Sequence, residues 1–149
     1  MIPGLDINLV GEDGNTPLMI VCDKGFNEIV KTIIICPEVN MHHVNNNGEN
    51  AIMLACKNGH IEVVEELLKN NNRNELDLNC VNKDGNSALS LAVGRNEISV
   101  VKYLLINFGN ILAEHIINNA YRIAEENNLQ NMIKIISLRG YSKSARSAQ

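Results

Sequence analysis

Three segments of this chain return in phase, and that periodicity limits the fold more than any other feature. Gly14-Asn15-Thr16-Pro17-Leu18 recurs as Gly48-Glu49-Asn50-Ala51-Ile52 and as Gly85-Asn86-Ser87-Ala88-Leu89, at steps of 34 and 37 residues. The stretch from Asn50 to Leu68 shows what one unit contains. Ile52, Leu54 and Ala55 share one side of a short helix predicted over 51–58, and Gly59 supplies the left-handed residue that ends it. Ile61, Val64, Leu67 and Leu68 follow at spacings of three and four, the apolar stripe of a second helix over 61–69. Neither helix is long enough to hold its shape alone in water. Each must bury its stripe against a neighbour, and repetition supplies the neighbour. The turn positions keep the same steps, at Gly25, Gly59 and then Asn96, Asn being the usual substitute for Gly in a left-handed conformation.

The segments leading into each unit align as well: Leu5 to Val10, Val39 to Val44 and Leu76 to Val81. On Asp13-Gly14-Asn15-Thr16-Pro17-Leu18, on Leu54 through Leu68 and on Asp84-Gly85-Asn86-Ser87-Ala88-Leu89, the chain resembles the ankyrin repeat family over about residues 5–138. The resemblance implies an all-α solenoid of stacked helix-turn-helix units joined by turn-forming lead-ins. It divides the chain into an N-terminal half repeat (1–11), repeats over 12–44, 45–81 and 82–110, a degenerate C-terminal capping repeat (111–138) and a disordered tail (139–149). Within repeat one, a second helix is expected from Glu28 to Cys36, stopping before Pro37. The extra residues of repeat two fall in Asn70-Asn71-Asn72-Arg73-Asn74, where Asn favours a loop. In the last unit Asn128 takes the turn position, and the lead-in from Ile111 to Asn119 lacks an Asp-x-x-Gly turn and reads as helical.

The family opens its first helix with Thr-Pro-Leu-His. Here the His position holds Met19, Met53 and Ser90, so the bonds this His makes between neighbouring loops have to come from elsewhere. Thr16, Asn50 and Ser87 remain as side chains that cap the first helices.

Several function classes are poorly served by these residues. Hydrophobic side chains make up 45% of 149 residues but aromatics only 3%, so the core is built from Ile, Leu, Val, Ala and Met. A net charge of −4 gives no whole-chain case for nucleic-acid binding. No apolar run approaches the roughly 18 residues of a membrane span, and Met1 to Val10 lacks a secretory pattern. Cys22, Cys36, Cys56 and Cys80 form no Cys-x-x-Cys pair, which points to reduced thiols in a cytoplasmic, intracellular protein. Cys22 and Cys56 sit at equivalent repeat positions and read as packing residues. His42 and His43 are neighbours that point apart, and His60 stands where the family has a structural His, so no metal, cofactor or catalytic group is expected.

A partner surface is what the resemblance implies. Ankyrin domains use turn tips and the exposed side of the first helices as one concave face. Carried onto this chain, the tips are Glu12, Asp13 and Asn15, then Asn46, Asn47 and Glu49, then Lys83, Asp84 and Asn86. The helix positions are Asp23, Lys24, Lys57, Asn58 and Arg95. The function expected is docking of another protein, as a monomer, with Lys24, Lys57 and Arg95 favouring carboxylates on the partner. Two alternatives are a self-assembling spacer that stacks end to end, through Leu18, Ile20 and Ile29 left under-covered, and a small-ligand or catalytic pocket beside the Asn-rich loop.

Overall fold

The computed structural model describes residues 4–69 and 77–139. The Asn-rich segment 70–74, the tail beyond residue 139 and the pocket expected beside that segment lie outside the described residues. Eight helices occupy the described residues: α1 (Pro17–Lys24), α2 (Asn27–Ile34), α3 (Ala51–Lys57), α4 (Ile61–Lys69), α5 (Ala88–Gly94), α6 (Ile98–Phe108), α7 (Glu114–Glu126) and α8 (Gln130–Ser137). They form four antiparallel pairs. The first helices α1, α3, α5 and α7 stack in one layer, and the second helices α2, α4, α6 and α8 stack behind them.

Each first helix begins where a side chain can hold a free backbone N–H. Met19 N donates to Thr16 Oγ1 at 3.3 Å and Met53 N donates to Asn50 Oδ1 at 3.0 Å. Ser87 and Ser90 close a full capping box, Ser90 N donating to Ser87 Oγ at 3.1 Å and Ser87 N to Ser90 Oγ at 2.8 Å. Ser90 therefore replaces the missing His with a bond within its own repeat. Pro17 starts α1, where the absent N–H leaves nothing unsatisfied.

The turns between paired helices are left-handed, at φ +76° for Gly25 and +71° for Gly59. Asn96 (φ +59°) and Asn128 (φ +55°) do the same work with a side chain. Glycine at positions 25 and 59 answers a second demand. A Cβ on Gly25 would meet the ring of His60 in the next repeat, and a Cβ on Gly59 would meet the carboxylate of Glu97 in the repeat after that.

The layers meet on small and branched residues. Ala55, Ala92 and Ala124 occupy one repeat position, and Ala51, Ala88 and Ala120 another; all six are buried, which lets the first helices approach closely. Behind them Val63, Val64, Leu67, Val100, Val101, Leu104, Met132 and Ile136 are buried on the second helices. Two expected boundaries shift. Helix α2 ends at Ile34 rather than Cys36, because Cys36 precedes Pro37 and is disfavoured in the helical region; its N–H instead closes a turn on Ile33 O at 3.0 Å. The expected helical lead-in of the last unit merges with its first helix into α7, which spans 13 residues.

The end that faces away from repeat two is only partly closed. Ile20 and Ile29 are 43% and 48% exposed, whereas the same repeat positions in the next unit, Leu54 and Val63, are 3% and 1% exposed. Leu18, grouped with those two on the sequence, is instead buried.

Candidate partner-binding face

The three tips are built alike. Gly11 N donates to Asn15 O at 3.1 Å, Asn45 N to Glu49 O at 2.9 Å and Asn82 N to Asn86 O at 2.9 Å. In the second and third tips a buried Asn organises the loop from within: Asn45 Oδ1 accepts from Asn47 N and Glu49 N, and Asn82 Oδ1 accepts from Asp84 N and Asn86 N. These two asparagines escaped the sequence reading. The signal was present, since Gly11, Asn45 and Asn82 fall at the repeat steps.

Neighbouring tips are stitched together by backbone. Asn46 N donates to Asp13 O and Lys83 N to Asn47 O, each at 3.0 Å. Side chains add Asn46 Nδ2 to Glu12 O at 2.9 Å, Asn45 Nδ2 to Asn15 Oδ1 at 3.0 Å and Asn119 Nδ2 to Gly85 O at 3.2 Å. His43 joins the same seam, its Nε2 donating to Gly14 O at 2.8 Å, while His42 stays exposed. The bonds between loops that the replaced His would have made thus come from other positions.

The candidate residues separate into groups. Glu12, Asp13, Asn46, Asn47, Lys83, Asp84, Asp23, Lys24 and Arg95 are exposed. Asn15, Asn58 and Asn86 are half-buried. Asp13 turns inward on its own loop, accepting from Asn15 N at 3.0 Å and from Asn15 Nδ2 at 2.7 Å, which holds its carboxyl below the usual range. Asp23 accepts from Asn58 Nδ2 at 2.8 Å, so this pair ties repeat one to repeat two.

Glu49 does not belong with the open tip residues. It is 5% exposed, and its Oε1 lies 3.0 Å from Lys57 Nζ. Lys57 correspondingly fails to extend a row with Lys24 and Arg95. The repeat steps place Lys24, Asn58 and Arg95 in one position, and Lys57 one residue earlier. One residue is about 100° around a helix, enough to turn Lys57 toward the tip of its own repeat. Among the candidate residues of this face, the cations without a side-chain partner in the described part of the chain are Lys24, Lys83 and Arg95.

His60, Cys22 and Cys56 are accounted for by packing. His60 Nε2 donates to Asp23 O at 2.9 Å across the repeat boundary. Burial pushes the Cys22 thiol up to about 12 and raises that of Cys56 further, both being neutral core side chains. Among the described residues, no three His, Cys, Asp or Glu side chains come together as a metal site, and no helix is long and apolar enough to cross a membrane.

A comparison with curated proteins returns no match. A family model described as ankyrin repeats (3 copies) matches residues 1–76 and 18–115, most of the chain. With paired helices, left-handed turns and stitched tips in the same phase, the chain belongs to the ankyrin repeat family.

Proposed function

We propose that the chain is a protein–protein interaction module that docks a partner segment on the face made by its tips and first helices. Ankyrin repeats are generally modules of this kind, and the family is typically non-catalytic. The observation that carries the reading is how the tips satisfy themselves. Backbone N–H and C=O groups hold one tip to the next, which favours a rigid rim, while the Lys24, Lys83 and Arg95 side chains have no side-chain partner among the described residues. A rigid surface with free charge loses little conformational entropy on binding, and its cations select a partner segment bearing carboxylates. Glu12, Asp84, Asn46 and Asn47 complete the polar rim. Glu49 and Lys57 act behind it, as the ion pair that props the second tip.

The test is an affinity capture run in parallel with the native chain, with Lys24→Glu/Arg95→Glu and with Lys57→Glu. Partners lost from the double variant alone support the face; an unchanged set of partners counts against it. A second reading, end-to-end assembly, draws on the exposed Ile20 and Ile29 at positions that are buried in the next repeat. Sedimentation across a concentration series separates the two, because a fixed monomer removes the assembly reading.

A further inference from the structure

We propose that the outer groove between α6 and α8 is a second docking site, taking an acidic amphipathic helix of another protein. Two merging depressions of about 320 Å³ and 370 Å³ run along this groove. Ile98, Lys102 and Ile106 line it from α6, and Lys134 and Ile135 line it from α8, with Leu138 at the C-cap of α8. The spacings are those of one face on each helix, so the walls are two parallel stripes with an apolar floor between them. The floor is uncovered: Ile106 is 59% and Leu138 75% exposed.

Charge decides the occupant. Lys102 stands on one wall, and Lys134 stands on the other with Arg139 just beyond α8. None of the three has an ion-pair partner among the described residues, and no carboxylate lines either depression. The preceding grooves are different. Between α2 and α4, Lys31 bonds Glu28 at 2.8 Å and feels Glu62 and Glu66, so its charge is already balanced. Between α4 and α6, the position of Lys102 is held by the carboxylate of Glu65; burial, and after it the Glu65 charge, raise the Tyr103 hydroxyl pKa, and Tyr103 packs edge-on against Phe108 at 6.0 Å. At α8 the position of Tyr103 is Ile135, so the last groove has a smaller, purely apolar side chain there, and the charged groups lining it are all cationic. Cations on both walls suit carboxylates flanking both sides of an apolar stripe, which is the pattern of a helix laid in a groove. A single anionic headgroup would be met from one side.

The probe is a synthetic peptide of about 16 residues, with Leu on one helical face and Glu flanking it, long enough to span the two turns of α8. Its counterpart carries Lys in place of every Glu. Added to the isotopically labelled chain, the acidic peptide should shift the amide signals of Ile98, Lys102, Ile106, Ile135 and Leu138 and leave those of Asn47 and Lys83 in place. Lys102→Glu/Lys134→Glu should weaken it about tenfold, as should raising the salt severalfold. Both lysines are exposed, so the variant should melt like the native chain; Arg139→Glu, outside the helices, serves as a second variant. Equal binding of the Lys peptide, shifts confined to the tips, or no binding at millimolar peptide would overturn the proposal. So would phosphatidylserine vesicles binding the chain where the peptide does not, or a chain dimer that the double variant abolishes.

Discussion

Replacing Gly25 by Ala asks two different things of the fold, and a pair of mutations separates them. The first is backbone strain. At φ +76° an L-residue sits in the left-handed region, which costs about 1–2 kcal/mol. The second is steric. The new methyl would overlap Nδ1, Cε1 and Cγ of His60, so the ring must leave and give up its Nε2 bond to Asp23 O. That bond contributes about 0.5–1.5 kcal/mol. Gly25→Ala should therefore destabilise by about 1.5–3.5 kcal/mol in sum, which lowers the melting temperature by about 2–4 °C for each kcal/mol in a chain of this size. Once His60→Ala has removed the ring, Gly25→Ala should retain only the strain, about 1–2 kcal/mol. Urea unfolding followed by circular dichroism gives all four corners of the cycle. A coupling of about 1 kcal/mol supports a contact between repeats. Additivity within about 0.3–0.5 kcal/mol, the range for independent sites, would refute the claim that Gly25 is glycine partly because of His60.

Other outcomes follow from the same geometry. Leu54→Ala should cost about 2–5 kcal/mol, whereas Ile20→Ala, at the equivalent but half-open position, should cost well under half of that; equal costs in urea unfolding would mean the end face is covered. Lys57→Glu should destabilise by setting two carboxylates side by side at Glu49, while Lys24→Glu and Arg95→Glu should stay within about 0.5 kcal/mol of the native chain in the same assay. In the native state a thiol reagent at neutral pH should label the half-buried Cys36 and spare Cys22 and Cys56 until the chain unfolds. The last two also set an alkaline limit. Their folded pKa values lie above the ordinary 9.0, so above pH 9 the unfolded chain loses protons that the folded chain keeps. Stability should decline as pH rises from about 9 toward 12, and a flat profile over that window would argue against both thiols being buried.

Much of this architecture could be read directly from residues. Gly25, Gly59, Asn96 and Asn128 all adopt positive φ at the expected places, because few side chains tolerate that region and their spacing betrays them. Thr16, Asn50 and Ser87 cap as their position before an apolar stripe requires. Burial of Ala55 and Leu67 followed from helical periodicity, and that of Cys56 from its recurrence at the repeat position of Cys22. The candidate face was less legible. Glu49 aligns with Asn15 and Asn86 and looks like one more tip residue, yet only the packed chain reveals that Lys57 curls back to pair with it. Asn45 and His43 carry side-chain bonds between loops, and nothing local to them says so, since those partners lie about thirty residues away.

The chain by itself therefore determined the unit: two short helices, the residue that turns between them, the caps that start them and the stripe each must hide. Those are short-range matters of backbone geometry and hydrophobic spacing, and each leaves its mark on residue type. Which charges remain free was decided only when the units stacked. Whether a Lys meets solvent or a carboxylate depends on a rotation of one residue about a helix and on what the next repeat brings alongside. Lys57 is paired while Lys24, Lys102 and Arg95 are not, a difference written in tertiary contacts rather than in the identity of the side chain.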